Sequence, residues 1–88
     1  MITQLQIEYF LAINETKNIS QAAKKLIITP QTLSHSLESI ERELGTTLFE
    51  RGIPLTLTDS GQIFLEYPQN MVEMRNNMLN AINDITGN

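Results

Sequence analysis

Apolar positions recur with a helical period in four stretches of this chain, and one short extended stretch interrupts them. Over residues 3–16, Thr3 offers a cap, and Leu5, Tyr9, Phe10 and Ile13 form a stripe directed at a core. Lys17-Asn18 reads as a turn, with Asn the residue tolerant of left-handed φ, and Ile19 returns the chain to the core. Ser20 is the expected cap of a second helix ending near Ile27, and Ala22 and Ala23 let another helix cross closely. Thr29 caps a third helix. Pro30 then takes its first position, where the missing N–H costs nothing. Leu33, Leu37, Ile40 and Leu44 follow at i, i+4, i+7 and i+11, and Gly45 supplies a left-handed C-cap.

After Gly45 the period changes. Residues 46–51 are β-branched and aromatic, Gly52 to Pro54 break the run, and Leu55-Thr56-Leu57 resumes in extended alternation. Two short strands around such a turn make a wing. Thr58 caps the last and longest helix, with Asp59 at the positive end of its dipole. Along it Phe64, Tyr67, Met71, Met74, Met78, Ala81 and Ile85 are spaced 3, 4, 3, 4, 3, 4, an a/d heptad seam. So small a domain cannot bury that seam itself, so a second copy is the expected partner. Only Ile63 and Phe64, at its start, are expected to pack within the chain. Pro68 removes one helical bond, at a cost of about 3 kcal/mol, and predicts a kink between residues 64 and 68. The fold class is therefore mainly α with a small β wing: a winged helix-turn-helix over residues 1–58, then a linker and dimerisation helix over 59–88.

Opposite the apolar stripe of the third helix lie Gln31, His35, Glu38, Ser39 and Arg42, with Thr32, Ser34 and Ser36 on the flanks. A major groove admits one helix, and amide, hydroxyl and imidazole groups reach base edges and phosphates from it. A solvated face has the same composition, so this pattern alone leaves both readings open. Glu38, Glu41 and Glu43 read as a solvated, salt-bridged face, with Glu38 and Arg42 an i, i+4 pair.

Composition narrows the choice of chemistry. Eighty-eight residues make one small domain, and the absence of Cys removes disulfides and thiolate chemistry. No apolar run approaches a membrane span, and no leader follows Met1, so the cytoplasm is the expected location. His35 has no second ligand at i+4 and no Gly-rich phosphate loop follows a strand, so neither an enzyme nor a metal or cofactor site is expected. The net charge of −4 runs against nucleic-acid binding until it is divided by region. Residues 17–51 hold Lys17, Lys24, Lys25, Arg42 and Arg51 against Glu38, Glu41, Glu43 and Glu50, a balance of +1, and the acid excess lies on either side. Arg51 stands at the wing entrance, suited to a phosphate, but the tip Gly52-Ile53-Pro54 carries no cation.

Taken together, LQIEYFLAINETKNISQAAKKLIITPQTLSHSLESIERELGTTLFER and LTLTDSG resemble the N-terminal DNA-binding domain of LysR-type transcriptional regulators. The resemblance rests on S-x-A-A at the second helix, L-S within the third, IERELGTTLFER after it, and L-T-x-x-G at the linker helix. It implies a winged helix-turn-helix, binding to promoter DNA as a dimer or tetramer, and a C-terminal effector domain that senses a small molecule. By position it places base and phosphate contacts on Pro30, Gln31, Ser34 and His35, with Thr29 at the cap, Ser20 at the second helix and Arg51 in the wing. This chain reads Thr29-Pro30-Gln31 where the family commonly has S-Q-P, and His35 where Arg is frequent. An imidazole makes fewer bonds to guanine than a guanidinium fork, a difference of about 1–3 kcal/mol.

The expected function is sequence-specific binding of double-stranded DNA, with the helix of about residues 30–43 in the major groove. Ser20, Lys24, Lys25, Thr29, Pro30, Gln31, Thr32, Ser34, His35 and Arg51 would form the interface, and the helix of residues 59–86 would pair two copies. The alternative is a winged-helix module that binds proteins and no DNA, consistent with the acidic pI near 4.8.

Overall fold

The computed structural model describes residues 1–87, and Val72 by its backbone alone. The elements are α1 (Gln4–Thr16), α2 (Ile19–Leu26), α3 (Pro30–Leu44), β1 (Phe49–Glu50), β2 (Thr56–Leu57) and α4 (Asp59–Thr86). Thr3 caps α1 as expected, and a reciprocal pair completes the cap. The Gln6 N–H donates to Thr3 Oγ1 (3.1 Å) and the Thr3 N–H to Gln6 Oε1 (3.0 Å).

The turn into α2 differs from the sequence reading. Lys17, not Asn18, takes the left-handed conformation (φ 55°), and its ammonium donates to the Asn14 carbonyl (2.7 Å) and side chain. Asn18 is extended and is itself the N-cap, its Oδ1 accepting from the Gln21 N–H at 2.9 Å. Both Asn18 and Ser20 are good capping residues. The earlier one wins because α2 then starts at Ile19, which packs against the core, and Ser20 falls inside the first turn. At the far end of α2 the exposed Ile27 adopts φ 59°, an uncommon conformation for a β-branched residue.

The core joins Phe10, Ala12 and Ile13 of α1, Ala22 and Ala23 of α2, and Leu33, Leu37 and Ile40 of α3 to Leu48, Phe49 and Leu55 of the wing. The Phe10 ring lies 5.3 Å from that of Phe49 and meets Phe64 edge-on at 4.6 Å, so the first helix, the wing and α4 share one aromatic contact. Two members of the expected stripes, Leu5 and Leu44, are exposed. Each lies in a terminal turn of its helix, and Leu44 borders a depression shared with Ile63, Phe64 and Tyr67 of α4.

The strands of the wing are two residues each, shorter than the extended runs that predict them, and pair antiparallel with Phe49 opposite Leu57 and Glu50 opposite Thr56. The tip holds a cis Ile53–Pro54 bond. A backbone bond from Leu55 N–H to the Lys17 carbonyl (3.0 Å) fastens the wing to the turn before α2. Thr58 caps α4 by accepting from the Gly61 N–H (3.0 Å) and donates to the Thr47 carbonyl (2.6 Å).

The helix α4 runs unbroken through Pro68 to Thr86 and ends at Gly87, φ 76°. At 28 residues it is about 42 Å long, most of the molecule's 50 Å extent. Past Pro68 every described side chain is exposed. Among the described residues no helix is long and apolar enough to cross a membrane.

Candidate nucleic-acid interface

The recognition element is built from α2, the turn 27–29 and α3. Thr29 Oγ1 accepts the Thr32 N–H at 3.1 Å and donates its own proton to Thr32 Oγ1 at 2.9 Å. Both bonding directions of the Thr29 hydroxyl thus serve the cap, and Thr32 keeps its proton for an outside acceptor. With Pro30 at the first position, the cap starts α3 sharply and turns its first exposed residues, Gln31, Thr32 and His35, to solvent.

Leu33, Leu37 and Ile40 bury the opposite side, which fixes the roll of the helix. Pro30, Gln31, Ser34, His35 and Glu38 together line an open depression of about 300 Å³. It presents a carboxamide, a hydroxyl and an imidazole, donors and acceptors suited to base edges, in one turn and a half of helix.

Glu38 lies on the exposed face where the helical period places it, but its expected pairing with Arg42 is not formed among the described residues. It shares this depression, in keeping with its spacing from Gln31 (i+7) and His35 (i+3). A carboxylate there accepts hydrogen bonds and donates none, which suits a cytosine amino group and opposes a phosphate.

The basic residues are less uniform than the sequence suggests. Lys24 is exposed with no partner among the described residues, whereas Lys25 pairs with Glu15 at 2.6 Å. Ser20 is exposed on the first turn of α2. It borders a second depression, of about 410 Å³, where the turn before α2 faces the wing tip Gly52-Ile53-Pro54. Arg51 is half exposed and anchored by Glu41. Glu41, expected on a solvated face, instead turns inward to the wing.

On α4 the seam begins later than its spacing implies. Phe64 is half-buried against Phe10 and belongs to the core, whereas Ile63, expected to pack inward, is exposed. From Tyr67 through Met71, Met74, Met78 and Ala81 to Ile85 the seam is open to solvent. Leu79 and Ile82, also exposed, lie one position after Met78 and Ala81 and widen the apolar face. The heptad reading passed over them because it followed only one a/d track.

Residues 5–62 match the family model described as bacterial regulatory helix-turn-helix protein, lysR family. The chain belongs to the LysR family. A probable RuBisCO transcriptional regulator from Thalassiosira pseudonana is 32% identical over 84 residues, spanning 94% of this chain and 27% of that protein. The BenM DNA-binding domain, in a complex with benA site 1 DNA, superposes with a TM-score of 0.76 at 31% identity, covering 93% of each chain. Vibrio fischeri DarR, solved in complex with DNA, gives a TM-score of 0.78 at 28% identity over 98% of this LysR-family chain and 30% of its own. The chain thus spans about a quarter of the length of curated relatives it matches, 27% and 24% for the first two.

Proposed function

We propose that this chain is the DNA-binding portion of a LysR-type transcriptional regulator and reads a specific double-stranded sequence with α3. Residues 1–58 form the reading domain and residues 59–88 the linker through which two copies pair. The observation that carries this is the row Gln31, Ser34 and His35, brought into one exposed depression by the Thr29–Pro30 cap and a buried apolar stripe behind it. The likeness to domains solved on DNA supports the same reading.

In this arrangement Gln31 and His35 touch base edges, while Ser20, Lys24, Thr32 and Arg51 hold phosphates and set the register. Lys25 contributes after exchanging Glu15 for a phosphate. Thr29 and Pro30 act through the geometry of the helix start. Tyr67, Met71, Met74, Met78, Ala81 and Ile85 pair the copies, so that two half-sites are held together and the low positive charge of each domain is doubled. As a regulator it acts where the DNA is, in a bacterial cell the cytoplasm. A protein-binding module without DNA contact is not favoured, given the DNA complexes among its structural neighbours.

Selection of bound sequences from a random duplex pool tests the proposal directly. An enriched palindrome-like site is expected, and recovery of no sequence above background overturns specific reading. On the enriched site, Gln31→Ala and His35→Ala are each expected to cost about 1–3 kcal/mol, with little change on random duplex. Equal losses on both probes would remove these two side chains from base reading.

A further inference from the structure

Glu41 belongs to α3 but turns away from its exposed face; its side chain is only 10% exposed. Oε2 accepts the Leu48 N–H at 2.7 Å and the Phe49 N–H at 3.3 Å, at the start of the wing. Oε1 lies 3.4 Å from Arg51 Nη2, and Arg51 Nη1 donates to the Phe49 carbonyl at 3.3 Å. The carboxylate, the β1 backbone and the guanidinium therefore close a ring between α3 and the wing. A carboxylate so buried needs such donors to remain charged without large cost.

A guanidinium has five N–H donors, and among the described residues two of them are used. Arg51 remains 52% exposed, so three donors are left for an outside anion. We propose that Glu41 is a positioning residue: it holds the Arg51 guanidinium ready for a DNA phosphate and ties that contact to the register of α3. A free arginine side chain loses much rotamer freedom when it binds a phosphate, and one already held from behind loses less. Leu48 and Phe49, whose N–H groups grip the carboxylate, have fully buried side chains, so the anchor is as rigid as the core. This inference rests on the proposed DNA binding but concerns a residue that touches no DNA.

The test is a double-mutant cycle in the full chain, read as affinity for a random-sequence duplex against salt concentration, with thermal melting alongside. Glu41→Gln keeps an oxygen acceptor for Leu48 and Phe49 but removes the charge that holds Arg51. It is expected to weaken binding about fivefold, and to have no effect once Arg51 is Ala. Arg51→Ala itself should lower the salt slope by about 0.9, one phosphate contact. Arg51→Lys leaves the Glu41–backbone bonds in place and gives a second reading if Glu41→Gln folds poorly. It keeps the charge without the fork, so weaker binding at an unchanged slope is expected.

Equal weakening by Glu41→Gln in both backgrounds would make Glu41 merely structural. Tighter binding by Glu41→Gln would make it a competitor of phosphate, and a lysine as good as Arg51 would show that pre-orientation is not used. Each result overturns the inference while leaving DNA binding standing. Wild-type chain that binds no duplex at low salt would overturn both.

Discussion

Gly61→Ala is expected to destabilise the domain by about 2–3 kcal/mol and to lower its melting temperature by about 10–20 °C. A Cβ at this position would stand 2.1 Å from the Leu48 carbonyl oxygen and 2.7 Å from Leu57 Cδ2. The leucine side chain can rotate away, but the carbonyl cannot move freely. It accepts the Thr58 N–H at 3.0 Å, and Leu48 is at the same time held by Glu41 and fully buried. Relief therefore requires α4 to back away from the wing and loosen the Phe10–Phe64 contact. Alanine's better helix propensity, worth about 1 kcal/mol, offsets only part of this. Thermal unfolding followed by circular dichroism measures the effect. An unchanged or higher melting temperature would mean that the approach of α4 to the wing is not a structural requirement.

On the proposed pairing of two copies along α4, combining Met74→Asp with Met78→Asp is expected to give monomers and to leave the melting of the winged domain unchanged. Both residues are more than half exposed on α4 and lie past Pro68, beyond the reach of the core. Two carboxylates facing their copies across an apolar seam would be desolvated without partners, a cost larger than the burial of a few methionines returns. Sedimentation gives the oligomeric state. Because two linked domains bind two half-sites with the avidity of an intramolecular second step, the variant should lose about 10²- to 10⁴-fold in affinity for a full site. Its affinity for a single half-site should hardly change. Persistent dimers would place the interface elsewhere on the chain.

What could be read from the sequence follows from how local each determinant is. The Thr29–Pro30 start and the Gly45 end of α3 depend on a few adjacent residues, and both stand where the sequence puts them. The heptad spacing of α4 is likewise carried by one segment, and its exposure from Tyr67 onward is as expected. The choice between Asn18 and Ser20 was not local. Both residue types suit a cap, and the decision came from Ile19 reaching the core and from Lys17 closing the preceding helix.

Glu41 was misread for the same reason. Its helical position places it beside other glutamates, and only the return of the chain at Leu48 and Phe49 brings donors to it. In the candidate interface, periodicity places Gln31 and His35 opposite the apolar stripe and Ser34 on its flank, and the three line one depression. The same period places Glu38 on that face, whereas its i, i+4 spacing from Arg42 predicts an ion pair that is not formed among the described residues.

The uncovered length of α4 beyond Pro68 ties secondary structure to abundance. A solitary helix of this size is only marginally favoured in water, and nothing in the preceding fold supports its distal turns. On the proposed pairing of two copies, its coiling should thus follow mass action. On dilution the far-ultraviolet helical signal is expected to fall as partners separate, while the near-ultraviolet signature of the packed phenylalanines persists. In a cell that makes few copies, the rod would exist chiefly when two chains have already met, and the concentration of regulator would decide its shape as well as its occupancy.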